Sequence, residues 1–62
     1  MKYRELTQLI EADGWVRVTT RGSHRQYRHP VKKGRVTIAG KPNQDVGPSM
    51  RKSILKQAGL DQ

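Results

Sequence analysis

The chain contains no cysteine. That excludes disulfides and any thiolate metal site. Carboxylates are scarce, five in all, and residues 14–44 contain none. Two histidines without a supporting acidic or cysteine cluster do not make a structural zinc site. No apolar run approaches the roughly 20 residues that span a bilayer. The N-terminus lacks the basic flank and apolar stretch of a secretory signal. A soluble, cytoplasmic protein with no cofactor is therefore expected. With 62 residues, the chain reads as one domain, 1–62, near the lower size at which a lone core suffices. Lacking disulfides and structural metal, such a domain finds its natural source of extra stability in a partner protein.

Positive charge is abundant. Thirteen Lys and Arg against five Asp and Glu give a formal charge of +8. The distribution is segregated. Arg17, Arg21, Arg25, Arg28, Lys32, Lys33, Arg35 and Lys41 fall within residues 14–44, whereas the acidic residues of the first helix and of the C-terminal tail lie outside. A solvated face would account for some of this charge, but segregation favours a surface that holds a polyanion, with RNA as the leading choice. Membranes and acidic proteins remain the other partners that such a patch can bind.

Taken in order, residues 2–13 predict a helix. Tyr3, Leu6, Leu9 and Ile10 recur at spacings of three and four, and Asp13-Gly14 supplies the stop. Residues 15–20 alternate and are rich in β-branched side chains, with Val16 and Val18 on one face and Arg17 and Thr19 on the other. Arg21-Gly22 permits a tight reversal into a second strand over 23–29, which Pro30 closes. Residues 31–34 turn, and 35–39 form a third strand with Val36 and Ile38 inward. Residues 40–47 are a loop by composition. A second helix opens at Pro48-Ser49 with Ser49 as its cap, buries Met50, Ile54, Leu55 and Ala58, and stops at Gly59 with Leu60 folding back. The fold class is α+β, in the order α-β-β-β-α. Each helix has a single apolar stripe, so both are expected on one face of a three-stranded antiparallel sheet, leaving the other face open.

Period two sorts the second strand. With Tyr27 inward, Ser23, Arg25 and His29 share its side, and His24, Gln26 and Arg28 face the open side near Arg17. A bulge would change these assignments. Histidine suits proton transfer near neutral pH, and RNA carries its own nucleophile, the 2′-hydroxyl, beside each phosphate. Cleavage needs a base, an acid, and cations to steady the phosphorane. His24 can supply one of the proton transfers, and its arginine and lysine neighbours the cations. The basic block offers no carboxylate for a divalent metal, which disfavours metal-dependent chemistry. Against catalysis stands the single imidazole: an isolated histidine is commonly a surface residue, and His29, on the opposite parity, reads as a cap of the turn before Pro30. Ser23 reads as a turn or phosphate-contacting hydroxyl. Gly22 is conformational, and also lets a phosphate approach the backbone. Trp15 and Tyr27 either stack on bases or fill the core.

The run Leu9-Ile10-Glu11-Ala12-Asp13-Gly14-Trp15, the run Gly22-Ser23-His24-Arg25-Gln26-Tyr27-Arg28-His29-Pro30, the turn Lys32-Lys33-Gly34, and Ile54-Leu55-Lys56-Gln57-Ala58-Gly59-Leu60 together resemble the HicA family of bacterial toxin-antitoxin toxins. The resemblance implies a fold like that of double-stranded RNA-binding domains and an endoribonuclease that degrades messenger RNA. It places the catalytic histidine of the Gly-Ser-His segment on His24. It further implies a HicB-type antitoxin that masks that histidine in a higher-order complex repressing its own operon. One position departs from the pattern. Relatives commonly carry a histidine just after the third strand, where this chain reads Ala39-Gly40-Lys41-Pro42-Asn43, leaving Lys41 as a phosphate contact in its place. The expected site is thus His24 for catalysis, with Arg17, Arg21, Gly22, Ser23, Arg25, Arg28, Lys32, Lys33 and Lys41 on the RNA, and no metal. A non-catalytic RNA-binding module and a protein-interaction domain for an acidic partner fit the same charge. Gly22-Ser23-His24 favours the nuclease.

Overall fold

A computed structural model describes residues 1–60, and the acidic tail beginning at Asp61 lies outside the described residues. The elements run α1 (Tyr3–Ala12), β1 (Val16–Arg21), β2 (His24–Arg28), β3 (Val36–Ala39) and α2 (Pro48–Gln57). The strands form one antiparallel sheet in the order β1-β2-β3. Element order and sheet type are those expected from the sequence, with boundaries shifted by one or two residues, as frayed ends allow.

One core cluster joins the layers. Tyr3, Leu6 and Ile10 of α1, Tyr27 of β2, Val36 and Ile38 of β3, and Ile54 and Ala58 of α2 and its cap are buried together with Trp15 and Val46. Tyr27 stands opposite Val36, and Arg25 opposite Ile38, so these side chains occupy one face of the sheet, and both helices cover that face. The three aromatic residues Tyr3, Trp15 and Tyr27 all lie in this core. Their area is what a domain so short needs, and base stacking is not open to them.

Both helices end in the same motif. Gly14, with φ of 110°, donates to Glu11 O, while Trp15 N–H reaches back to Ile10 O. Gly59, with φ of 71°, donates to Lys56 O, and Leu60 N–H returns to Leu55 O. These are the paired bonds of a Schellman stop, and in each the residue after the glycine packs on the core. The fold-back of Leu60 follows expectation. The start of α2 does not. Gly47 is the N-cap and Pro48 the first helical residue, with no side-chain cap bond. Proline suits that position because its missing N–H would be unpaired there anyway, so Ser49 is carried one step inside the helix.

Four apolar residues of the helices and β1 lie outside the core. Met50 and Leu9 are exposed, because each lies at the margin of its helix's stripe, beyond the reach of so narrow a sheet. Val16 and Val18 are 59% and 52% exposed, as part of a strand exposed along its whole length. The helices cover β2 and β3, and β1 is an edge left beyond them. Its arginines and its bulge are what keep such an edge from pairing with other chains.

Candidate nucleic-acid interface

The bulge decides what stands beside His24. Arg17 pairs with Tyr27, but Thr19 pairs with Gln26, leaving Val18 as the extra residue. From Thr19 onward the parity of β1 is reversed relative to Val16 and Arg17. Arg17 therefore shares the Tyr27 face and does not approach His24, contrary to the pairing expected from unbroken alternation. Arg21 takes its place, directly opposite His24. On the other side of His24 stands Ala39, whose methyl leaves the imidazole uncrowded. His24 is exposed, on the face away from the helices, as its parity with buried Tyr27 requires.

Continuing along that face, Gln26 stands between Thr19 and Thr37, and Arg28 opposite Val16. Arg35, just ahead of β3, joins them: its guanidinium donates to Gln26 Oε1 at 3.0 Å. Arg35 was missing from the expected contacts although the signal was present, since Val36 inward makes Arg35 outward by alternation. The open face thus presents Arg21, His24, Arg28 and Arg35 with no carboxylate among its strand residues. Cations so placed add their fields without a counter-charge between them.

The remaining expected residues divide between the two ends of the sheet. At the His24 end, Gly22, Ser23, Arg25, Gly40, Lys41 and Pro42 line one small pocket of 290 Å³. Arg25 lies on the helix side and is half-buried, its Nη2 donating to Gly40 O at 2.8 Å. Lys41 is held in position by the loop after β3. That loop gives its carbonyls of Pro42 and Gln44 to the N–H groups of Arg4 and Tyr3 at 3.1 and 3.0 Å, so it caps the open start of α1. Arg4 also bonds Asn43 Oδ1, and Lys2 pairs with Asp45.

At the opposite end the basic block is spent on structure. His29 Nδ1 accepts the N–H groups of Val31 and Lys32, both at 3.0 Å. Nε2 consequently carries the proton and donates to Asp13 O at 2.7 Å. The ring also meets Trp15 edge-on, with centroids 5.3 Å apart. His29 is a turn cap, as its parity suggested. Lys32, expected on RNA, instead pairs with the Asp13 carboxylate and donates to Ala58 O at 3.1 Å. Trp15 Nε1 donates to the same carbonyl at 3.1 Å. The ends of both helices are thereby tied to the turn after β2. The Lys32 hydrogen bond, reinforced by its charge, holds the Asp13 carboxyl below the ordinary carboxylate range, outweighing the burial that would raise it. Among the described residues no group of three His, Cys, Asp or Glu side chains is placed to hold a metal ion.

With this arrangement in view, the comparison with known families is decisive. The family described as HicA toxin of bacterial toxin-antitoxin matches residues 3–60. The chain belongs to the HicA toxin family. A search of curated proteins finds no match. The match takes in every element of the fold, and both the His24 end and the His29 end of the sheet. HicA membership makes this chain the toxin of a toxin-antitoxin system, with a cognate antitoxin as its partner. No helix among the described residues is long and apolar enough to cross a membrane.

Proposed function

We propose that this HicA toxin is a metal-independent endoribonuclease of the cytoplasm that cleaves messenger RNA, with His24 as its acid-base catalyst. The observation that supports it best is the placement of His24: an exposed imidazole, on a face without carboxylates, with Arg21 directly across the ladder. In the proposed reaction the ribose 2′-oxygen attacks the adjacent phosphorus and the bond from phosphorus to the 5′-oxygen breaks. The products are a 2′,3′-cyclic phosphate and a 5′-hydroxyl. His24 takes the 2′-hydroxyl proton, the step for which histidine is suited near neutral pH. Solvent returns a proton to the leaving oxygen, since Arg21, Arg28 and Arg35 stay charged throughout. Arg21, across the ladder from His24, steadies the phosphorane by its charge. Arg25, Arg28, Lys41, Gly22 and Ser23 hold the strand on either side, while Arg17 and Lys33 contribute only to the general field.

The antitoxin reading follows from the same face. A HicB-type partner that covers His24 would also cover Arg21, so inhibition and RNA exclusion would coincide. Its footprint would be acidic, to meet the charge it buries.

The test compares wild type with His24→Ala. Wild type is expected to arrest growth and to cleave total RNA in the presence of EDTA. The variant is expected to bind RNA with unchanged affinity and do neither. Binding without cleavage by both proteins would favour the non-catalytic RNA-binding module, and equal toxicity of both would remove His24 from the chemistry.

A further inference from the structure

The pocket at the His24 end of the sheet has a property that the open face lacks. Its residues come from two segments, the β1–β2 turn and the loop after β3, brought together because His24 pairs with Ala39. Both carry a glycine in a conformation that L side chains rarely adopt. Gly22 has φ of 56° and Gly40 has φ of 151°. At Gly40 a Cβ would lie 2.5 Å from the ring of Tyr3, so the core itself presses this backbone into place. At Gly22 the space where a Cβ would stand is empty, leaving the backbone open to a ligand.

Arg25 forms the wall between them. Its Nη2 is anchored on Gly40 O, yet its Nε–H is buried and has no acceptor in the protein. The buried Nε is closed to any ligand, so Arg25 acts on the pocket through the positive charge of its guanidinium. Lys41 lines the same pocket, as does Ser23, and no acidic residue does. The volume, 290 Å³, is at the bottom of the range for small-ligand sites. It suits a phosphate group rather than a length of chain.

We infer that this pocket is a phosphate subsite, which binds the phosphodiester next to the one cleaved at His24 and so sets the register of the RNA. The inference rests on the nuclease reading for the identity of its ligand, but not for the anion binding itself. Arg25 and Lys41 supply charge, Ser23 a hydroxyl, and the Gly22 backbone a close approach. The strand would turn over the end of the sheet, from the pocket on the helix side to His24 on the open side. Arg25 and Lys41 are thus binding residues whose effect falls on one neighbouring phosphate, unlike Arg28 and Arg35 farther along the face.

Two measurements test this. The first titrates inorganic phosphate at constant ionic strength and follows backbone amides by NMR. Shifts are expected at Gly22, Ser23, Gly40 and Lys41, lost in Lys41→Ala and absent with chloride alone. No shift at these amides would overturn the subsite. The second uses RNA oligonucleotides with one uncharged methylphosphonate linkage at successive positions. Neutralising one linkage beside the cleaved bond is expected to lower kcat/KM about tenfold in wild type. Lys41→Ala is expected to lower it about tenfold on unmodified RNA, with no further loss from that same linkage, because both remove one interaction. Losses that multiply at every position would overturn the assignment of register. Phosphate shifts in a protein that leaves all RNA intact would sustain the anion site and defeat the nuclease reading instead.

Discussion

His24 and His29 are five positions apart on and just beyond one strand, and their environments assign them opposite work. His29 has both ring nitrogens engaged, with backbone donors on one and a carbonyl on the other. His24 has no hydrogen bond to the rest of the protein among those of the described side chains, and stands exposed. An imidazole that is to exchange protons with a substrate needs that freedom. Asp13 illustrates the same point for charge. Its carboxyl is held below the ordinary range by Lys32, so the unfolded chain binds that proton more readily than the folded one. The pair's contribution to stability is complete above the unfolded carboxylate value of about 4 and is lost as pH falls through the lower folded value. Lys32→Met is expected to melt below wild type at pH 7, with the difference narrowing between pH 5 and pH 2 in thermal unfolding followed by circular dichroism. A difference that stayed constant over that range would show that the Asp13 ion pair is not its source. Because Lys32 sits away from His24, RNA affinity measured well below the melting temperature should be unchanged.

At the scale of elements, the Schellman stops and the β1 bulge matter most. Gly14 ends α1 and at once makes room for His29: a Cβ there would lie 2.7 Å from Nε2, and its φ of 110° is unfavourable for any L-residue. Gly14→Ala is expected to cost about 1–3 kcal/mol, read as a lower denaturation midpoint. Gly22, with φ of 56° but open space around it, should accept asparagine at a much smaller stability cost. Parallel midpoints for the two substitutions would show that the His29 contact carries no weight. The bulge works differently. By adding Val18 it leaves Arg21, and not Arg17, facing the same way as His24. Arg21→Ala is therefore expected to lower kcat on RNA by about 10²-fold, the scale set by loss of one transition-state donor, while Arg17→Ala stays near wild type. Equal losses would place both arginines in the general field alone.

The whole molecule is polarised. One end of the sheet is closed by Asp13, Trp15, His29, Lys32 and Ala58, and the other carries His24, the pocket and the loop that caps α1. Stability concentrates in the buried cluster common to both. Ile54 is α2's one fully buried side chain, and Ile54→Ala should cost about 2–5 kcal/mol. For a domain this short such a loss approaches the whole folding free energy, so partial unfolding at 37 °C is expected by circular dichroism. An antitoxin bound only to the folded toxin would offset that loss by mass action. Charge also acts at this scale. With about four phosphates contacted by Arg21, Arg25, Arg28 and Lys41, the logarithm of RNA affinity should fall with the logarithm of salt at a slope of about −3. Arg28→Ala should flatten it by about 0.7, by removing one of these contacts. A slope near zero in wild type would remove the open face as the binding surface.

The order of elements, the inward positions Tyr27, Val36 and Ile38, and the helix stops at Gly14 and Gly59 were legible in the chain because they rest on local rules: period, propensity, and the backbone freedom of glycine. The outward side of His24 was legible for the same reason, since β2 runs without interruption. Local rules could not locate the bulge, whose extra residue is defined only by the partner strand, and so Arg17 was set beside His24 in error. Nor could they assign Lys32, whose partners Asp13 and Ala58 are 19 and 26 residues away. The pocket belongs wholly to the tertiary structure. Gly22, Ser23, Arg25 and Lys41 each have chemistry suited to a phosphate, but only the pairing of β2 with β3 and the packing of Tyr3 on Gly40 bring them around one space. Charge and residue type are properties of the sequence by itself. Which charges remain free to meet a ligand is decided by which of them the fold has already paired.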